Sequence, residues 1–241
     1  MRGAMQVTEA AAAGAYLAWW AQAGVDCATG EAPVNWLRPS PMPRAGQSAP
    51  SIAPIAEKPR TLEAFQQWLA TDPAQPERGW HGQPILPTGP AMARLMVVTD
   101  MPDPADVAAA SLLAERAGLL LDAMLAAIGL ARGDIYLTSL FLSRAPGGMV
   151  EAADLGVAAE RMRSHVALAA PRRLLILGDR TTRALMPSND SRPADALRPF
   201  NHDGGTVPAL ATFHPRLLLG QPAAKAECWR VLQSLIEEDH P

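Results

Sequence analysis

The stretch TFHPRLLLGQPAAK, residues 212–225, is the part of this sequence from which the remaining segments can be interpreted. It places His214 after an apolar run and immediately before Pro215. A proline fixes its own φ angle and restricts the preceding residue to extended conformations, so we expect His214 where a strand leaves the core. Loops at the carboxyl ends of strands carry the chemistry of many α/β proteins. His214 is therefore a candidate functional residue; the alternative is a histidine that only satisfies local backbone groups.

Four short apolar runs predict the strands of a parallel sheet. They are LMVV at residues 95–98, DIYLTSLFL at 134–142, RLLILG at 173–178 and the run at 207–212 that leads to His214. Continuous apolar runs of this length are typical of strands buried on both faces. Because segments with helical periodicity separate them, the sequence predicts an α/β fold, a three-layer αβα arrangement with a central four-stranded parallel sheet.

The segments between the strands have the periodicity of amphipathic helices. One long helix is predicted over residues 105–128. In the next helix the positions predicted to face the core are Ala158, Met162, Val166 and Ala169. The same periodicity predicts that Arg161 and His165 face the solvent. A C-terminal helix is predicted over residues 223–237, with Trp229 among its buried side chains.

Composition divides the chain into three segments. Residues 1–37 are predicted to form an N-terminal helical extension, and the proline-rich residues 38–60 a linker. Residues 61–241 are then the α/β domain, and 49% hydrophobic content is enough for a full core. The apolar start is similar to a secretory signal, but Glu9 interrupts it, so we expect a cytoplasmic protein.

Charge and cysteine content limit the partners and cofactors. The net charge is -3, yet residues 131–230 carry 13 Lys and Arg against 9 Asp and Glu, so a nucleic-acid face would belong to the second half. Solvated helix faces are the alternative explanation. Two cysteines, Cys27 and Cys228, cannot form a four-cysteine metal site, and we expect no metal or other cofactor. No apolar run approaches the roughly 20 residues of a membrane span, and a monomer is expected.

Four motifs together resemble the uracil-DNA glycosylase superfamily, most closely its family 4, over residues 61–236. They are LMVVTDMPDPAD, AGLLLDAMLAAIGLARGDIYLTSLFLSRAP, RRLLILGDRTT and the HPRLLLGQP segment that contains His214. The resemblance implies a uracil-DNA glycosylase-like fold and hydrolysis of the N-glycosidic bond of uracil or another deaminated base in DNA. Family 4 enzymes carry an iron-sulfur cluster on four cysteines, which this sequence lacks.

The resemblance also assigns roles to individual residues. It implies that Asp100, in the place of a family glutamate, handles the attacking water and that His214 contacts the O2 side of uracil, where negative charge develops. In the base-binding positions the sequence has Ser139 for an asparagine and Leu113 for a stacking phenylalanine, beside Met101. The residues placed to contact DNA are Arg144, Arg198, Pro215, Leu218 and Lys225.

The departures from the family pattern leave a second function open. Ser139 cannot offer the paired donor and acceptor of an amide, and Asp103 adds a negative charge where a family glycine approaches DNA. The alternative is therefore a catalytically inactive glycosylase-like domain that binds DNA or a repair partner. A nucleotide-binding domain using the LGDRTT turn is a weaker third possibility, because no glycine-rich phosphate motif accompanies it.

Overall fold

The computed structural model describes residues 18–19, 59–80, 82–186 and 196–237, with the side chains of residues 236 and 237 excepted. All of them except residues 18–19 belong to the compact unit Glu57–Pro241. Ala18 and Trp19 are helical. The rest of the predicted N-terminal extension, and the predicted linker up to residue 58, lie outside the described residues.

Helices and strands alternate along the compact unit. In chain order they are α1 Leu62–Thr71, β1 Leu95–Thr99, α2 Pro104–Ala109, α3 Glu115–Ala127, β2 Ile135–Ser139, α4 Ala152–Ala169, β3 Leu174–Leu177, α5 Asp179–Leu185, β4 Arg198–His202, β5 Gly205–Thr212, α6 Pro215–Gly220 and α7 Lys225–Glu237. Short 3₁₀ turns lie at Pro76–Gly79, Arg132–Asp134, Pro146–Gly148 and Pro222–Ala224.

The strands form one sheet in the order β2-β1-β3-β5-β4. Its first four members are parallel, with Thr99 opposite Ser139 in the β1–β2 pair. Alternate strand residues belong to different core clusters: Met96 packs with α4, and Val97 packs with α3 and α7. Since successive side chains of a strand point to opposite faces, helices cover both faces of the sheet. The predicted three-layer αβα fold is confirmed.

The sheet has five strands in place of the predicted four. The additional strand β4 lies at the edge and runs antiparallel to β5, with Phe200 opposite Val207. Its sequence, RPFNH, buries only Phe200 and includes a proline, which is tolerated at a sheet edge. Because half-exposed edge strands lack a continuous apolar run, the pattern that identified the other four strands does not detect this one.

The predicted helix over residues 105–128 is two helices, α2 and α3. The backbone is left-handed at Ala110 and Leu113, in the loop between the two helices, and at Glu115, the first residue of α3. The buried carboxylate of Asp106 accepts hydrogen bonds from the backbone N–H groups of Asp103 at 3.1 Å and Ala114 at 2.8 Å. This side chain satisfies the backbone of the connecting loop, an interaction that apolar periodicity does not reveal.

Two predictions about helix faces are wrong. The predicted core side of α4 is buried, but Arg161 and His165, expected to face outward, are buried as well. They lie under α1 and the turn Pro76–Gly79, so a second face of α4 is covered. Trp229 of α7, predicted to be buried, is 39% exposed.

Arg161 and Glu77 form a buried ion pair that we call the buried pair. Arg161 Nη1 lies 2.9 Å from Glu77 Oε1, and each side chain is about 5% exposed or less. Arg161 also donates to the carbonyl of Leu140 at 2.6 Å, while Glu77 accepts from the backbone N–H of Leu142 at 3.0 Å. The buried pair therefore fixes the loop that leaves β2.

Candidate active site

The carboxyl ends of the parallel strands surround a cavity of about 670 Å³. Four residues predicted from the sequence to act in the site line it: Asp100, Met101, Arg144 and His214. The cavity is also lined by charged residues that the sequence did not single out for the site: Asp179, Arg180, Arg183 and Arg216. Parallel α/β sheets bind ligands at this edge, so the geometry matches the expected location of a site.

Asp100 directly follows β1 and has one anchored carboxylate oxygen. Its Oδ2 accepts from Arg180 Nη1 at 2.9 Å, and the same guanidinium donates to the carbonyl of Gly148 at 3.0 Å. Oδ1 is buried and has no hydrogen-bond partner among the described residues. Burial raises the pKa of Asp100, while the charge of Arg180 opposes the shift. The carboxylate is thus held through Oδ2, while Oδ1 is a buried acceptor without a hydrogen-bond partner among the described residues.

His214 caps the short helix α6 through its ring. Nδ1 accepts a hydrogen bond from the backbone N–H of Arg216 at 3.1 Å. An accepting Nδ1 carries no proton, so the neutral ring is protonated at Nε2. Burial lowers the pKa of His214, against the opposing charge of Asp103. His214 is therefore a neutral imidazole with an N–H that is not used for capping.

Asp103 joins two arginines of the cavity wall. Its Oδ1 lies 3.2 Å from Arg144 Nη1, and its Oδ2 pairs with Arg216 Nη1. Arg144 also donates to the carbonyl of Pro102 at 3.3 Å. The loop after β2 and the first turn of α6 are connected through this single carboxylate.

The predicted base-binding residues are only partly brought together. Met101 lines the cavity, whereas Ser139 and Leu113 are buried and are not among its lining residues. The hydroxyl of Ser139 donates to the carbonyl of Phe141 at 2.7 Å. Leu113 packs in the core with Leu121. In this conformation neither side chain is presented to a ligand in the cavity.

The predicted DNA-contacting residues are also divided. Arg144 lines the cavity, and Pro215 is buried at the start of α6. Leu218 is 1% exposed, because it packs into the core, whereas Leu217 is 40% exposed and lines the cavity. Lys225 is exposed at the start of α7. Arg198 lines a neighbouring cavity of about 290 Å³.

The most informative residues that the sequence did not assign are Arg180 and Arg216. Each lies in the first turn of the helix that follows a strand, Arg180 in the LGDRTT segment after β3 and Arg216 in the HPR segment after β5. A polar residue just past a predicted parallel strand is a signal for this edge of the sheet. That signal marks both positions, but it does not show which carboxylate each arginine contacts.

The described residues do not fit an iron-sulfur cluster or another metal centre. Among them, Cys228 is the one cysteine and it is buried, whereas a cluster requires several thiolates. No group of three or more His, Cys, Asp or Glu side chains within the described part of the chain is arranged to hold a metal ion. A helix long and apolar enough to span a membrane is likewise absent from these residues.

Comparison with models of known protein families identifies one family. The family model of the uracil DNA glycosylase superfamily matches residues 86–233, more than half of the chain. The matched segment begins before β1 and ends within α7, and it contains every residue described above as lining the cavity. No curated protein matches the chain.

Proposed function

The chain belongs to the uracil DNA glycosylase superfamily, and on this basis we propose that it hydrolyses the N-glycosidic bond of uracil or another deaminated base in DNA. The observation that carries the proposal is the position of Asp100 and His214 in one cavity at the carboxyl edge of the sheet. A glycosylase needs one group for the attacking water and another for the departing base. In the proposed reaction Asp100 acts as a carboxylate and His214 as a neutral imidazole.

In the proposed reaction Asp100 orients the water. Oδ2 is held by Arg180, and Oδ1, a buried acceptor without a partner among the described residues, is the atom that we assign to the attacking water once substrate binding admits it. Arg180 also opposes the rise in the pKa of Asp100 that burial causes, which favours the ionised form. The ionised form is the one that accepts a proton as bond cleavage proceeds.

His214 stabilises the leaving group. Because its pKa is lowered, the ring is neutral near pH 7 and offers Nε2–H as a hydrogen-bond donor. A fixed donor in a partly buried site stabilises negative charge that develops on the departing base. Water attacks the sugar carbon, the glycosidic bond breaks with its electron pair on the base, and the proton lost by water passes to Asp100.

Base selectivity is expected to be weak or different from that for uracil. The hydroxyl of Ser139 is already engaged with the carbonyl of Phe141, so it does not supply a paired donor and acceptor. A site without such a pair discriminates poorly among bases. We therefore include hypoxanthine and xanthine among the candidate substrates.

DNA is the proposed partner, bound across the cavity mouth. The proposed phosphate contacts are Arg144 in the cavity, Arg198 in the neighbouring cavity and the exposed Lys225 at the start of α7. Leu217 replaces Leu218 as the proposed apolar contact, because it is the more exposed of the two. We propose a cytoplasmic monomer in which residues 61–241 form this domain, with residues 1–37 as an N-terminal extension and residues 38–60 as a linker.

The test is base release from a panel of oligonucleotides that contain uracil, hypoxanthine or xanthine, in single strands and duplexes. We expect the wild-type chain to release at least one of these bases. The nearly isosteric Asp100→Asn variant should release it about 10²- to 10⁴-fold more slowly, because the proton acceptor is lost. Absence of base release from every substrate would refute the proposed reaction.

A specific observation supports the alternative of a binding domain without turnover. The hydroxyl of Ser139 donates to a backbone carbonyl, and Asp103 already pairs with two arginines of the cavity. Both features weaken recognition of a flipped base more than they disturb the scaffold. Salt-dependent DNA binding without any abasic product would support this alternative.

A further inference from the structure

The carboxylate of Asp103 occupies a position between two arginines that come from different loops. Arg144 follows β2 and Arg216 lies in the first turn of α6, and both reach the same carboxylate. The side chain of Asp103 is 18% exposed, and the two arginine side chains are roughly twice as exposed. This arrangement, which we call the Asp103 clamp, opens into the cavity that contains Asp100 and His214.

Two guanidinium groups that converge on one anion are a common way to bind phosphate. Arginine pairs with carboxylates and phosphates through the same fork of N–H donors, so the two anions are alternative partners. Partly exposed ion pairs contribute little to stability, which makes their exchange for an incoming anion feasible. The Asp103 clamp therefore has the composition of a phosphate site that is filled by the chain's own carboxylate.

We propose that Arg144 and Arg216 form a subsite for a DNA phosphate and that Asp103 is its internal competitor. This inference depends on the proposed function, because it assumes that DNA enters the cavity. In the free protein Asp103 pairs with both arginines and offsets one of their two positive charges, and a phosphodiester displaces it on binding. Each phosphate contact must replace an existing ion pair, so Asp103 lowers the affinity for DNA of any sequence.

The position of Arg216 connects this subsite with the candidate catalytic histidine. Its backbone N–H donates to His214 Nδ1, while its side chain belongs to the Asp103 clamp. A phosphate held by Arg216 would therefore lie beside the residue proposed to receive the departing base. A phosphate bound in the subsite would fix the position of the DNA strand relative to the cavity. Phosphate contacts usually have this positioning role.

The Asp103→Asn variant tests the competition with little change in shape. Asparagine is as good a helix N-cap as aspartate, so the start of α2 is preserved while the negative charge is removed. Binding is measured by fluorescence anisotropy with a labelled, undamaged single-stranded oligonucleotide at several salt concentrations. We expect about tenfold tighter binding at low salt and a log–log salt slope steeper by roughly 0.7 for each arginine released.

The charge-matched control is Asp122→Asn. Asp122 of α3 pairs with Arg132 at 2.7 Å and does not line the cavity, so this substitution breaks an ion pair elsewhere with the same change in net charge, while Arg132 keeps its hydrogen bonds to backbone carbonyls. Its affinity should stay within about twofold of the wild type, since only long-range charge changes. Equal gains in the two variants would indicate a general charge effect and overturn the subsite.

The double variant Asp103→Asn, Arg144→Gln tests whether the gain depends on the arginine. We expect most of the increase in affinity and in salt slope to disappear, because the arginine that would bind the phosphate has been removed. Unchanged or weaker binding by folded Asp103→Asn refutes the inference, as does a gain that persists in the double variant. Absence of DNA binding by all variants refutes it as well.

The outcome is separable from that of the proposed reaction, because the oligonucleotide contains no lesion. Tighter binding by Asp103→Asn without base release from any substrate would support the subsite and reject the glycosylase activity. Base release by the wild type with no gain in affinity for Asp103→Asn would support the activity and reject the subsite.

Discussion

Two sets of arginine–carboxylate pairs in this protein have the same chemistry and opposite surroundings. In the buried pair, Glu77 and Arg161 are each about 5% exposed or less. In the cavity, Arg180 is 38% exposed beside Asp100, and Asp103 serves two arginines at once. The difference indicates that burial, not the type of residue, separates an ion pair that holds the fold from one available for ligand binding.

The surroundings of the two sets explain this separation. Arg161 and Glu77 also bind backbone groups of Leu140 and Leu142. One buried oxygen of each carboxylate, Glu77 Oε2 and Asp100 Oδ1, has no hydrogen-bond partner among the described residues. The side chain of Asp100 is 25% exposed and that of Glu77 only 4%, so a ligand can approach the pair in the cavity but not the buried pair.

The largest expected effect is the loss of stability when the buried pair is broken. Arg161→Met leaves the carboxylate of Glu77 buried without its counter-charge, and we expect the free energy of unfolding to fall by about 3–5 kcal/mol. Urea denaturation followed by circular dichroism measures the difference.

The matched control for this substitution is Arg180→Met in the cavity. Its pair with Asp100 is partly exposed, so the free energy of unfolding should change by less than about 1 kcal/mol. A comparable loss in both variants would remove the distinction between the buried pair and the cavity pairs.

The second effect concerns catalysis in the cavity. His214→Asn keeps a side-chain acceptor for the backbone N–H of Arg216, because asparagine is a good N-cap, but it removes the imidazole. Base release should fall by about 10²- to 10³-fold, as for the loss of one oxyanion donor. The melting temperature, measured by differential scanning fluorimetry, should change by no more than a few degrees. If the melting temperature falls sharply and base release persists, His214 is a structural residue.

The third and smallest effect is a change in the pH dependence of stability near the buried pair. Burial, with a contribution from the charge of Arg161, lowers the pKa of His165 from 6.5 to about 3. As the pH falls below 6.5 the unfolded chain binds a proton that the folded chain excludes. Over the single unit from pH 6.5 to 5.5 the free energy of unfolding should therefore fall by about 1 kcal/mol.

The variant His165→Gln isolates this effect. It removes the titrating ring but retains an acceptor for Tyr136, whose hydroxyl lies 2.8 Å from His165 Nε2. Urea denaturation at a series of pH values should give a shallower slope for the variant in that range. Identical slopes would mean that His165 titrates in the folded protein as it does in the unfolded chain.

The strands and the main functional candidates could be predicted because their signals are local. Apolar runs identified the four parallel strands, and the order of the motifs placed Asp100 and His214 after strand ends. The break between α2 and α3 was not predictable in this way, because the side chain of Asp106 organises the loop. The edge strand β4 was missed because its burial depends on β5 beside it.

Local sequence patterns are sufficient to specify the αβα architecture and a carboxylate and a histidine at the carboxyl edge of the sheet. Packing in three dimensions is what pairs Asp103 with Arg144 and Arg216 and buries Arg161 together with Glu77. Strand formation follows from the composition of a few consecutive residues. Ion-pair partners come from segments distant in the chain, and their burial depends on how those segments pack, which a local pattern does not contain.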